Sequence, residues 1–180
     1  DKLGLPQLTP IHRLDRETAG VVIFSHREAS RGAYQSLFQK RSVKKVYEAL
    51  AGPMPGRSFP GSFPFTYRSR MVDGTPFFRM QEEEGEPNSE TVIDVIGPRG
   101  DALLYRLEPH TGRKHQLRVH MSALGAPILN DPFYPYALAC KGDDFSRPLK
   151  LLARSIAFED PLTGQPRRFD SERRLDPDSA

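Results

Sequence analysis

Two runs of strand-forming residues, 91–96 and 102–107, flank Pro98-Arg99-Gly100-Asp101, and this arrangement constrains the fold more than any other feature of the chain. A turn-rich tetrapeptide between apolar runs reads as a hairpin turn, which sets neighbouring strands antiparallel. Runs at 44–51 and 151–158, with weaker ones around 63–71 and 76–80, extend the pattern. They are divided by Gly52-Pro53-Met54-Pro55-Gly56 and by an acidic loop over 82–87. One long segment has helical periodicity: Ala29, Ala33, Leu37 and Phe38 form a stripe over 28–40, ended by Arg41-Ser42, and this stripe is expected to be plain core. Strands outnumber helices, and their order argues for an α+β domain of mainly antiparallel strands with a few helices on one side. A chain of 180 residues can bury one sizeable core, and no repeat or linker divides it. One domain over 1–180 is expected, with a frayed tail from 173 onward.

Two charged segments stand out against this framework. In His12-Arg13-Leu14-Asp15-Arg16-Glu17-Thr18-Ala19-Gly20 one carboxylate sits among cationic side chains, just ahead of Val21-Val22-Ile23-Phe24. The apolar run reads as a short buried strand with the charged segment at its mouth, where an acid can stay ionised and act as a nucleophile. The plainer reading is a set of loop charges that cap a strand, since structural ion pairs perturb carboxylates as well. The second segment, Glu108 to His120, is crowded with cations and imidazoles. Leu117, Met121 and Leu124 recur at helical spacing and Gly125 supplies a stop, so 113–124 reads as a short amphipathic helix. Lys114, His115 and Arg118 then share one turn, which suits an anionic partner, although a solvated basic face has the same pattern.

Several kinds of chemistry lack their sequence basis. His110, His115 and His120 recur every five residues, a spacing that does not place them on one helix face, so no metal site is expected. Cys140 is the single cysteine and can make neither an intrachain disulfide nor a thiolate metal site. The glycine loops of nucleotide-triphosphate and dinucleotide sites and the nucleophile elbow of esterases are missing. The formal net charge is only +3, but the sequence pI is near 9.1 and Arg and Lys cluster around the two segments, which points to a cationic patch and a nucleic-acid partner. No signal-like run or bilayer-length apolar span is seen, and the cytoplasm is the expected compartment.

The two segments, with Lys45-Val46-Tyr47-Glu48-Ala49 between them, resemble the three sequence motifs of the RluA-type family of RNA pseudouridine synthases. Members of that family show His-Arg-Leu-Asp, two variable residues and Thr-Ser-Gly, then Lys-x-Tyr-x-Ala, then Thr-Gly-Arg-x-His-Gln-Leu/Ile-Arg-x-His. This chain has the same order, and the likeness continues through Ala126-Pro127-Ile128-Leu129-Asn130-Asp131-Pro132-Phe133-Tyr134 to Pro161-Leu162-Thr163-Gly164. Ala19 replaces the usual Ser, and Leu152 and Asp160 stand where many relatives carry His. Eleven residues precede His12 and do not resemble the family's opening strand, so a trimmed domain without its N-terminal strand or strands is expected.

The resemblance implies a bent, mixed and mainly antiparallel sheet with flanking helices around a central catalytic cleft. It implies isomerisation of uridine to pseudouridine in structured RNA, ribosomal or transfer, without a cofactor or metal, by an expected monomer. Asp15 would be the essential carboxylate, acting at the sugar carbon as a nucleophile or removing a ribose proton. Arg118 would orient it, and Tyr47 would stack on the detached uracil and could help remove the proton from carbon 5. Arg13 would hold the flipped nucleotide or the gap it leaves. Leu14 and Leu117 would be apolar walls, while Lys44, Lys45, Arg113 and Lys114 would contact phosphates. His115 belongs to the same substrate-binding set, and Tyr105, Phe133 and Tyr134 are expected in core or cleft lining. Two other readings stay open. One is a catalytically silent RNA-binding module on this scaffold; the other is a glycosidase-like hydrolase needing a second acid, for which Glu17 and Glu108 are candidates.

Overall fold

In a computed structural model that describes residues 4–5, 7–59, 61–137 and 144–176, the chain forms one large sheet, a small ribbon and two helices. The ribbon pairs β1 (Thr9–Pro10) with β3 (Phe24–Ser25). The large sheet runs β10-β9-β4-β8-β7-β5-β6, antiparallel at every step. These strands are β4 (Lys44–Ala51), β5 (Phe65–Asp73), β6 (Met80–Glu83), β7 (Ser89–Arg99), β8 (Ala102–Pro109), β9 (Leu151–Glu159) and β10 (Pro166–Asp170). A short strand, β2 (Ala19–Gly20), adds to β9 in parallel, which makes the sheet mixed.

The hairpin expected from 91–107 is present as β7–β8, but its turn narrows to Gly100-Asp101 because pairing continues out to Arg99 and Ala102. The weak runs form strands displaced toward the C-terminus of the expected ones, β5 over Phe65–Asp73 and β6 over Met80–Glu83. The acidic segment thus enters β6 at Glu82 and Glu83, where the Tyr67 hydroxyl on β5 donates to Glu82 and Arg70 pairs with Glu83. Two register shifts interrupt the ladder. Ile96 is the unpaired residue between Val95 and Gly97, and Arg154 is skipped between Val46 and Tyr47. An extra residue of this kind bends the strand that carries it.

Alternation along β4 places Ala49 and Ala51 in the main core with Ile93, Val95, Tyr105 and Leu107, and α2 (Gln116–Ala123) packs on it through Leu117 and Met121. The helix α1 (Glu28–Gln39) lies over Val43, Ile156 and Phe158. Its stripe is not plain core, because Tyr34, Leu37 and Phe38 are only half-buried and Ala29 is exposed. One helix laid on the outer part of a sheet contacts it along a line, so no side chain of α1 is enclosed.

Residues 21–23 do not form the expected strand. The run is tied to different partners at its two ends, the Val21 amide to the Ala153 carbonyl (3.1 Å) and Phe24 to β1, so it crosses between sheet and ribbon. The tail is also better anchored than expected as far as Asp176. The Arg154 guanidinium donates to the Ser171 and Arg173 carbonyls (both 2.7 Å), and Lys150 Nζ donates to the Asp176 carbonyl (2.9 Å). Cys140 and residues 177–180 lie outside the described residues. Among the described residues no helix is long and apolar enough to cross a membrane.

Candidate active site

A cleft of about 600 Å³ opens between the loop ahead of β2, the inner strand β4 and the loop leading into α2. Its position follows from local chemistry. Residues 15–18 form a tight turn closed by the Thr18 amide on the Asp15 carbonyl (3.0 Å), and the chain then docks Gly20 against β9. Gly20 has φ +115°, and a Cβ there would lie 2.2 Å from the Ala153 carbonyl oxygen, so only glycine allows this approach. Upstream, His12 stacks on Phe38 at 4.7 Å and accepts the Ile23 amide at Nε2 (3.0 Å). Burial first, with a smaller push from Lys45, lowers the His12 pKa against a raising backbone hydrogen bond. His12 is therefore a neutral strut that fixes the loop carrying Asp15.

On the opposite wall, the loop 111–115 is tied down by Gln116. Its Oε1 accepts from Thr111 Oγ1 (2.6 Å) and the Arg113 amide (3.1 Å), while its Nε2 donates to the Glu90 carbonyl and Thr91 Oγ1 (both 3.0 Å). The helix consequently begins at Gln116, not at Arg113, and His115 just before it takes a left-handed conformation (φ 55°). Lys114 and His115 therefore do not share a helical turn with Arg118. Lys114 is exposed, whereas His115 and Arg118 are buried in the cleft wall.

Nine of the eleven residues given site roles from the sequence line this cleft: Asp15, Tyr47, Arg118, Arg13, Leu14, Leu117, Lys45, Arg113 and His115. Lys44 and Lys114 do not. Tyr47 stands on the inner strand, paired with Leu107 and, beside the Arg154 bulge, with Ala153. Burial first, then the Asp15 charge, pushes its phenol up to about 12, so it is protonated at neutral pH. Lys45 Nζ donates to the Thr111 carbonyl (3.2 Å), and burial followed by Arg41 lowers its pKa.

The Arg118 guanidinium reaches Asp15 through Nη1, 3.4 Å from Oδ2. Its main partner is a residue to which the sequence reading gave no role. Nε donates to Asp131 Oδ2 (2.8 Å) and Nη2 to Oδ1 (2.7 Å), a bidentate pair with the Asp131 side chain fully buried. Asp131 Oδ1 also accepts the amides of Phe133 (2.8 Å) and Tyr134 (3.2 Å). Burial opposes the guanidinium charge, but the Asp131 hydrogen bonds and charge, with a smaller part from Asp15, outweigh it and raise the Arg118 pKa. The rings of Phe133 and Tyr134 lie 4.9 and 5.4 Å from the guanidinium carbon. The one cue in the sequence was a lone carboxylate within the otherwise uncharged run 126–134.

His115 also faces the carboxylate, with Nε2 3.9 Å from Asp15 Oδ2 and Nδ1 2.9 Å from Tyr134 Oη. Burial is the largest cause that lowers its pKa to about 4; Arg118 and Lys114 lower it further, against Asp15 and Asp131. The cleft thus offers one reachable carboxylate, a guanidinium held beside it, a neutral imidazole, a protonated phenol and a rim of cations. Neither Glu17 nor Glu108 lines it, and Glu108 pairs with Arg106 (2.9 Å). A second acid for glycoside hydrolysis is missing from those two positions. Among the described residues no cluster of His, Cys, Asp and Glu could hold a metal ion.

Comparison with known proteins places this geometry in context. Residues 1–123 match the family model described as RNA pseudouridylate synthase. The chain is 35% identical over 166 residues to the dual-specificity RNA pseudouridine synthase RluA of Vibrio vulnificus, covering 87% of this chain and 62% of that protein. It is 34% identical over 158 residues to the protein of the same name from Pasteurella multocida, covering 86% and 68%. Among solved structures, Human RNA Pseudouridylate Synthase Domain Containing 1 superimposes with a TM-score of 0.75 at 26% identity, over 93% of this chain and 70% of that one. The chain spans less than two thirds of the Vibrio relative.

Proposed function

The chain belongs to the RNA pseudouridylate synthase family, and from that premise we propose that it isomerises uridine to pseudouridine in structured ribosomal or transfer RNA, acting in the cytoplasm as a monomer. The observation that carries this reading is the convergence of Asp15, Arg118 and Tyr47, from three separated motifs, on one cleft.

The reaction breaks the bond from uracil nitrogen 1 to the sugar C1′, turns the base over and rejoins it through carbon 5. Nothing is oxidised or consumed, so the residues need only supply a carboxylate, orientation and a closed pocket. Asp15 acts on the sugar. It either attacks C1′, forming an ester while the N1–C1′ electron pair leaves with the uracil, or removes a ribose proton as that bond breaks. Arg118 orients Asp15. The protonated phenol of Tyr47 supports stacking on the detached base and hydrogen-bond donation, and weighs against its phenolate as the base for carbon 5. Leu14 and Leu117 form apolar walls that keep water from the detached base.

The target must leave its stack first, at a cost of a few kcal/mol that is smallest in loops and bulges. Arg13, exposed at the rim, is suited to hold the everted nucleotide or fill its gap. Arg113, also exposed at the rim, and Lys45, half-buried in the cleft wall, would meet phosphates, which position RNA without reading its sequence.

The test is tritium release from RNA labelled at uridine carbon 5. The unaltered chain releases tritium, and Asp15→Asn abolishes release while RNA affinity stays within about threefold, because little positive charge changes. Undiminished release in the variant would remove Asp15 from its role. Binding without release by the unaltered chain would favour a silent RNA-binding module.

A further inference from the structure

We propose that Asp15 acts on the sugar through Oδ1 alone, and that His115 and Tyr134 are positioning residues that, with Arg118, commit the other oxygen. The proposal rests on the reading of Asp15 as the catalytic carboxylate. The guanidinium and the imidazole that face Asp15 both come nearest to the same atom: Arg118 Nη1 is 3.4 Å and His115 Nε2 is 3.9 Å from Oδ2. One hydrogen bond from Arg118 and a second N–H group close by favour the orientation in which Oδ2 faces them, and the other oxygen is then the one left to meet a nucleotide entering the cleft.

His115 serves this arrangement only if Nε2 carries a proton, and the hydrogen bonds around Tyr134 fix that. The Met80 amide lies 2.8 Å from Tyr134 Oη, and an amide can only donate, so the phenol oxygen accepts there. Tyr134 is buried, so its O–H needs an acceptor, and His115 Nδ1 at 2.9 Å supplies one. If Nδ1 carried the proton instead, two donors would converge on Oη and the buried hydroxyl would lose this acceptor. Nδ1 therefore accepts, and the neutral ring bears its hydrogen on Nε2, the nitrogen 3.9 Å from Asp15 Oδ2. The left-handed backbone of His115 and the Phe133 ring 5.7 Å away hold the imidazole in this pose. Tyr134 in turn is fixed by the Arg79 guanidinium, 4.9 Å from its ring.

The test labels histidine with ¹⁵N in the full chain and reads the His115 tautomer by NMR at pH 7. The expected form is Nε2–H with an Nδ1 shifted by an accepted hydrogen bond, and Tyr134→Phe, which keeps the ring, abolishes that shift. The same variant is expected to lower kcat about tenfold with KM for RNA within about twofold. Two variants separate donation from packing. His115→Gln places an amide donor near the reach of Nε2 and should retain release within about tenfold. His115→Asn suits the left-handed backbone better but is too short to reach, and should lose about a hundredfold. An Nδ1–H tautomer or a cationic ring in an active chain, or equal activity of the Gln and Asn variants, would overturn the proposal. The tautomer is read without turnover, so an Nε2–H ring in a chain that releases no tritium would defeat the catalytic reading while leaving the donor assignment standing.

Discussion

Replacing Asp131 with Asn tests whether the buried pair with Arg118 organises the site. Asn keeps the size and one acceptor, so the Phe133 and Tyr134 amides retain their partner oxygen. What disappears is the negative charge and the oxygen that accepts Arg118 Nε at 2.8 Å, where an amide N–H would face another N–H. The guanidinium is 3% exposed and keeps the Nη2 hydrogen bond to the retained oxygen, but its remaining anionic partner is Asp15 at 3.4 Å, a longer contact with a partly exposed side chain. Breaking a buried ion pair by removing one partner costs about 3–5 kcal/mol. For a chain of this length each kcal/mol shifts Tm by about 2–4 °C, so a fall of about 6–20 °C is expected. Differential scanning calorimetry measures it. Adding Arg118→Met to Asp131→Asn removes the stranded charge and should recover at least about half of the lost stability, since an apolar side chain of similar volume is tolerated in place of a buried ion. Tritium release should fall in the single variant and not recover in the double variant, which separates the loss of stability from the loss of orientation. A Tm within about 2 °C of the unaltered chain in the single variant would refute the reasoning, because it would mean that water or rearrangement compensates Arg118.

Two further perturbations probe the frame around the site. Gly20→Ala puts a Cβ 2.2 Å from the Ala153 carbonyl oxygen at φ +115°, so it should cost more than about 2 kcal/mol in urea unfolding, and an unchanged midpoint would contradict the close approach of β2 to β9. Lowering the pH should destabilise the fold through His115 and His120, whose pKa values burial above all brings to about 4. Both rings are neutral when folded and take up protons near 6.5 when unfolded. Their contribution is therefore complete above about pH 6.5 and is lost as pH falls toward 4, at up to about 2.7 kcal/mol per pH unit for the pair. A flat Tm between pH 7 and 5 would show that these rings are not held neutral.

How far the sequence reveals the site depends on the range of the forces that build it. The hairpin of β7 and β8, the inner strand β4 and the stop of α2 at Gly125 follow from local patterns, because turn residues and alternation act over a few positions. The start of α2 is different. The spacing of Leu117, Met121 and Leu124 predicts a helix over 113–124, yet the Gln116 side chain captures Thr111 and the Arg113 amide and the helix starts only at Gln116, a contact that helical spacing cannot register. The run 21–23 fails as a strand for a similar reason, since β9 and β1 compete for its two ends.

The pairing of Arg118 carries the same lesson into the chemistry. Motif likeness puts Arg118 opposite Asp15, but it does not reveal that the guanidinium already satisfies a nearer carboxylate. Arg118 and Asp131 have their short bonds to each other, at 2.7 and 2.8 Å, and the contact with Asp15 is the longest of the three. If Asp15 is the reacting carboxylate proposed above, a cation bound only to Asp15 would lie against the group that has to react, and its strongest bond would weaken as that carboxylate loses its charge. A cation anchored instead to Asp131 can lend one N–H to Asp15 while its position is fixed elsewhere, so the bond to Asp15 lengthens or shortens at little cost to the frame. On this account Asp131 matters to catalysis without touching substrate. The same division matches the placement of the two acids on different loops, Asp15 lining the cleft and Asp131 sealed behind Arg118.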